Sequence, residues 1–190
     1  KIQIEREACR AARGGTGAAK TGGNYAASLQ SAQNVQRRGY DQSLWLDPIE
    51  MKYIEELSGM NFFILQNGEL HTPKLNGSFL AGITRDSIIS LARHKGITVV
   101  ERDIPIQEVL TGIQSGAVSE IFACGTAAIV SPVSVIADAD GTNYAVNKVD
   151  ELAATLRQSL LAIQEQREVD PFSWTQEVAE QYSPAYIEQS

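Results

Sequence analysis

Residues 61–72 read NFFILQNGELHT. An apolar run ends in Asn67-Gly68, and a second strand-like run follows. Asn-Gly is the strongest short hairpin signal, because both central residues of a tight primed turn need positive φ. Upstream, Ser43–Leu46 (SLWL) also reads as a strand. Helical patterns stand on either side. Asn24 is a suitable N-cap, and Tyr25, Leu29, Ala32 and Val35 form an apolar stripe ending at Gly39. Thr84–Lys95 has Ile88, Leu91 and Ala92 on one face, basic residues in its last turn and Gly96 after it. A strand is expected over 97–104. Helical spacing of Ile106, Val109, Leu110, Ile113 and Ala117 follows Pro105. Strands are expected over 119–124 and 127–135 around a turn, and another over 144–146. Val149, Leu152, Ala153, Leu156, Leu160 and Ile163 mark a long amphipathic helix. Hairpin signals without regular βαβ alternation point to an α+β fold, with mixed sheets and helices packed around them, rather than a Rossmann sheet.

The chain has 190 residues, enough for one domain with a sizeable core. Its net charge of -7 argues against general nucleic-acid binding, which needs a basic face. No segment approaches the ~20 apolar residues of a membrane span. Lys1–Arg13 holds three Arg and two Glu, reads as a tether and does not resemble a signal peptide. Cys9 and Cys124 make neither a disulfide framework nor a CxxC motif, which suits a cytoplasmic protein. His71 and His94 lack metal-ligand spacing and are expected on the surface, so no metal site is expected. Asp138-Ala139-Asp140-Gly141 lacks the spaced ligands of a calcium loop and reads as a turn.

Four short segments could carry chemistry. Lys20 lies in AAKTGGNYAAS (18–28), between alanines and glycines. By spacing alone it reads as a surface lysine. The alternative is a Schiff-base lysine, which reacts as the neutral amine and is helped by apolar neighbours and close backbone. Gly82-Ile83-Thr84 enters a helix, where unpaired N–H groups favour an anion, or is an ordinary cap. Gly125-Thr126-Ala127-Ala128 is a small-residue turn that lets a ligand approach the backbone, or a plain turn. Glu55-Glu56 before Ser58-Gly59 reads as an exposed acidic loop, unless one carboxylate pairs with a cationic heterocycle. Cys124 reads as a small buried residue rather than a nucleophile.

Five ordered motifs carry a resemblance: GGTGAAKTGGNYAAS (14–28), DQSLWLD (41–47), GMNFF (59–63), GITRDSIISLA (82–92) and EIFACGTAAIVSPV (120–133). Together they resemble the large C-terminal domain of branched-chain amino acid aminotransferases. These are fold-type IV enzymes dependent on pyridoxal 5'-phosphate (PLP) and akin to D-amino-acid aminotransferase. The resemblance runs from about Ala11 to Val178. It implies that Lys20 carries PLP as a Schiff base, that Tyr25 bonds the cofactor's phenolic oxygen and that Glu56 pairs with the pyridine nitrogen. It implies that Gly82, Ile83 and Thr84 hold the phosphate, with Gly125 and Thr126 sharing that role. Thr126, Ala127 and Ala128 would receive the substrate carboxylate.

The implied reaction moves the amino group of leucine, isoleucine or valine to 2-oxoglutarate. Another fold-type IV activity, a D-amino-acid aminotransferase or an aminodeoxychorismate lyase, stays open. So does a PLP-binding domain inactive on its own. The resemblance implies a homodimer acting on small amino and 2-oxo acids. It divides the chain into a connecting remnant (1–13), the large domain (14–178) and a tail (179–190), with the family's smaller N-terminal domain absent.

Overall fold

The computed structural model describes residues 1–146 and 151–176. Its centre is the predicted hairpin: β4 (Met60–Gln66) turns through Asn67, at φ 51°, and Gly68, at φ 82°, into antiparallel β5 (Glu69–Pro73). β4 also pairs antiparallel with β3 (Ile54–Leu57) and β7 (Val118–Gly125). The ladder continues from β3 to β2 (Gln42–Leu46) and β1 (Ile2–Ile4), then β9 (Val135–Ala137) and β10 (Asn143–Ala145). β6 (Val99–Arg102) adds parallel to β5, and β8 (Ile129–Pro132) antiparallel to β7. The ten-stranded sheet is mixed, as expected for the α+β class.

Both faces of β4 are covered, so it reads as a continuous apolar run rather than an alternating one. Phe62 and Ile64 join one core cluster with Ile121 and Ala123 of β7 and with Val109, Leu110 and Ile113 of α3 (Ile106–Ser115). Phe63 points the other way, stacked on Phe122 at 5.1 Å between ring centres. That second cluster packs α2 (Ile83–His94) and α4 (Glu151–Gln164) through Ile88, Leu91, Leu156 and Leu160. Each fully buried Phe or Leu contributes about 2 kcal/mol of transfer free energy. Glu120, 4% exposed, reaches from β7 to accept from the Leu152 N–H at 2.9 Å and the Ala153 N–H at 3.0 Å, capping α4 from outside the helix.

Several expectations change. The stretch read as a tether contributes β1, which is buried and lies parallel between β2 and β9. α1 spans Gly22–Arg37, so Asn24 lies inside the helix and Thr21 is the N-cap. The expected stripe does not face the core: Val35 is buried, but Tyr25 is 44% and Leu29 61% exposed. The helix instead buries Asn24 and Ser31. Glu55 and Glu56 lie in β3, both buried, not in an exposed loop. His71 is buried, its Nδ1 accepting from Arg102 Nε at 3.0 Å. His94 is exposed and meets Phe172 edge-on. The strand expected over 127–135 is two strands, divided at Val133-Ser134. The helix expected from Val149 is seen as α4, while Val149 itself and the tail lie outside the described residues. No helix among the described residues is long and apolar enough to cross a membrane.

Candidate active site

A cleft of about 590 Å³ opens where α1, the β3–β4 turn, the start of α2 and the β7–β8 turn meet. Every residue to which the resemblance assigns a role lines it: Lys20 and Tyr25, Glu56, Gly82, Ile83 and Thr84, and Gly125, Thr126, Ala127 and Ala128.

Lys20 ends the loop before α1 and is exposed, not enclosed by apolar side chains. The loop is fixed by Asn24. Its Nδ2 donates to the carbonyls of Thr16 and Ala19, and its Oδ1 accepts from the Thr16 hydroxyl, each at 2.8 Å. Gly17 packs against the Ser78 backbone so closely that a Cβ would be driven into the Ser78 carbonyl. Tyr25, one turn into α1, borders the cleft.

Glu56 stands on β3 opposite Asn61 of β4 and Trp45 of β2. This register sends Glu56 into the cleft, while Glu55 turns away to accept from the Ser78 hydroxyl and Asn76 Nδ2. Glu56 is 2% exposed. Burial pushes its carboxyl up to about 7, against the opposing pull of the Arg10 guanidinium with which it is ion-paired. Its Oε1 has only that contact and no partner of hydrogen-bond geometry. Burial also raises Glu55, and pushes the Cys124 thiol up to about 12, so Cys124 is a buried wall residue and no nucleophile.

α2 begins at Ile83 after Gly82, and no side chain caps it. Its first-turn N–H groups are therefore open to an anion on the cleft side. Ile83 is 86% exposed and offers backbone rather than packing. Across the cleft, the turn from Gly125 to Ala128 ends in Ile129 at φ 59°. A β-branched residue in left-handed backbone is strained, and it is held here by its pairing with Gly125 across β7–β8.

The donor set fits PLP. It offers an amine, a phenol, a buried carboxylate lining the cleft and two backbone turns open to anions. Sequence reasoning missed Asn24 as the loop's fastener, Asn61 and Arg10. Asn61 sits within GMNFF, a motif noted for other reasons, whereas nothing near Arg10 marks it.

Residues 3–136 match the amino-transferase class IV family, and the chain belongs to it. It is 48% identical over 180 residues to branched-chain-amino-acid aminotransferase 2 of Bacillus subtilis, covering 94% of this chain and 50% of that protein. The branched-chain amino acid aminotransferase of Escherichia coli superposes with a TM-score of 0.77 at 31% identity, covering 91% of this chain and 55% of that one. The Thermobaculum terrenum branched-chain amino acid aminotransferase, solved in its PLP form, gives 0.73 at 26% identity, covering 88% and 51%. The chain thus spans about half the length of the curated relatives it matches.

Proposed function

We propose that this chain forms the cofactor-holding part of a PLP-dependent branched-chain aminotransferase that moves the amino group of leucine, isoleucine or valine to 2-oxoglutarate. The convergence of Lys20, Tyr25, Glu56, the start of α2 and the Gly125–Ala128 turn on one cleft carries this reading. The names of the relatives support the substrate class.

PLP supplies an electron sink for the carbon that bears the amino group. Lys20 Nζ is the amine that would hold it and, once released, carry the proton to and from the substrate Cα. The Tyr25 hydroxyl would donate to the phenolic oxygen, and the Glu56 carboxylate would accept from the pyridine N–H. Backbone N–H groups at Gly82, Ile83 and Thr84 would hold the phosphate, with Gly125 and Thr126 sharing that role. Thr126, Ala127 and Ala128 would receive the substrate carboxylate. The reading includes a cytoplasmic homodimer and the division at residues 13 and 178.

A second reading has its own observation. Exposure of Ile83 at 86% leaves the phosphate end of the cleft open to water, which suits a PLP-binding module that turns over only when further polypeptide closes it. Two measurements separate these. Adding PLP should produce the near-visible absorption of lysine-bound cofactor, and Lys20→Ala should abolish it. A band that survives the substitution refutes the assignment of Lys20. Steady turnover of leucine with 2-oxoglutarate by the 190-residue chain excludes the module reading. Turnover of D-amino acids instead would move the chain to a different fold-type IV activity.

A further inference from the structure

We propose that Arg10 is a positioning residue: it favours the anionic form of Glu56 facing the cleft, against the pull of burial, and fastens the lysine loop to the segment that leads into α2. The inference deepens the PLP reading and rests on it for the task given to Glu56. The ion pair itself is a property of the protein without cofactor.

Three observations carry it. Arg10 is 8% exposed, deeply buried for an arginine, and lies past the end of β1 with no acidic neighbour in sequence closer than Glu7. Its guanidinium meets Glu56 through Nε. Its Nη2 donates to the Gly17 carbonyl at 3.2 Å and to the Ser78 carbonyl at 3.3 Å. One planar group thus touches the acid, the glycine turn before Lys20 and the backbone that precedes Gly82. Gly17 and Ser78 are the pair whose backbones admit no Cβ between them. A lysine at position 10 would keep the charge but lack the fork that reaches three acceptors.

The electrostatics give Arg10 a task beyond packing. A carboxylate this buried favours its neutral form, and a neutral Glu56 accepts no hydrogen bond from a pyridine N–H through its protonated oxygen. Adjacent Glu55, also buried, acts on Glu56 in the same direction, and Lys20, Tyr25 and Cys124 are the titratable groups that line the cleft with it. Arg10 alone among the groups acting on Glu56 favours the anion. Removing it leaves two adjacent buried acids without a cation.

The test reads Glu56 in the apo protein. Carbon-13 NMR of labelled glutamate, with the Glu56 signal assigned by its loss in Glu56→Gln, gives the titration midpoint. Arg10→Met should raise that midpoint by about one pH unit or more. An unmoved midpoint in a folded Arg10→Met protein overturns the proposal. If Arg10→Met does not fold, adding Glu56→Gln should restore cooperative unfolding, because the uncompensated charge is then gone. A double variant no better folded than the single one overturns it equally. Failure of the PLP reading looks different: the parent protein shows no lysine-bound absorption while the Glu56 midpoint still responds to Arg10.

Discussion

Asn61 closes the space over Gly82. Its Nδ2 donates to the Leu80 carbonyl at 2.9 Å, and its Oδ1 occupies the position that a side chain on Gly82 would need. The start of α2 is therefore set against a strand residue, and its N–H groups are aimed by that contact. Gly82→Ala should displace the first turn and weaken PLP binding roughly tenfold, a loss of about 1.4 kcal/mol. Asn61→Ser, which shortens the obstructing side chain, should recover part of it. Dissociation constants from absorbance titration decide; an affinity untouched by Gly82→Ala would remove the helix start from the cofactor site.

Glu56 makes stability depend on pH with a definite sign. Its folded carboxyl titrates at about 7, above the ordinary 4.5, so the folded state holds the extra proton. The resulting stabilisation is complete below about pH 4.5 and is lost as pH rises through 7, by roughly 3 kcal/mol at most. Glu55 is raised too and adds in the same direction, so the comparison must be with Glu56→Gln. Urea unfolding of the apo protein between pH 5 and pH 8 should show a steeper fall in the parent than in the variant. Parallel curves would contradict the raised carboxyl.

Glu120 is a capping residue supplied by a strand. Glu120→Ala leaves the Leu152 and Ala153 N–H groups without their acceptor. The expected cost is about 1–2 kcal/mol in denaturant unfolding. PLP affinity should not change, because Glu120 is not among the residues lining the cleft. Equal unfolding midpoints for parent and variant would refute the cap.

Tyr25 separates fold from chemistry. It is 44% exposed on α1, so Tyr25→Phe should leave stability within about 0.5 kcal/mol. The absorption of lysine-bound PLP should nevertheless shift in position or in pH dependence, because its phenolic oxygen loses a donor. Identical spectra would take Tyr25 out of the site.

The parts legible in the sequence were those fixed by neighbours in the chain. Asn67-Gly68 needs positive φ whatever surrounds it, and it made the hairpin. Ile88, Leu91 and Ala92 sit at helical spacing and face the core. The parts that stayed hidden depend on distant partners. IEEL carries two charges and reads as surface until β2, β4 and Arg10 enclose it. Tyr25 and Leu29 make an apolar stripe, but the sheet lies on the other side of α1, against Ser31 and Val35. His71 is buried in β5 between β4 and β6, where Arg102 of the parallel neighbour donates to its Nδ1. For the site, the glycine turns and the lysine stood out because small residues are conspicuous. Arg10 did not, since its acceptors lie at Gly17, Glu56 and Ser78.

The placing of β1 bears on how the molecule comes together. Ile2 pairs with Gln42 on one side and with Ile136 on the other. The second pairing joins residues 2 and 136, far apart in sequence, and such loop closure is slow because entropy is spent before contacts reward it. The central hairpin β4–β5 needs no such search. A chain emerging from the ribosome can therefore shape the hairpin early, whereas β1 gains its second neighbour only after residues up to 137 have been made. Arg10, a few residues beyond β1, finds its partners at Gly17, Glu56 and Ser78, all made well before β9, so its side of the cleft can form ahead of that last pairing.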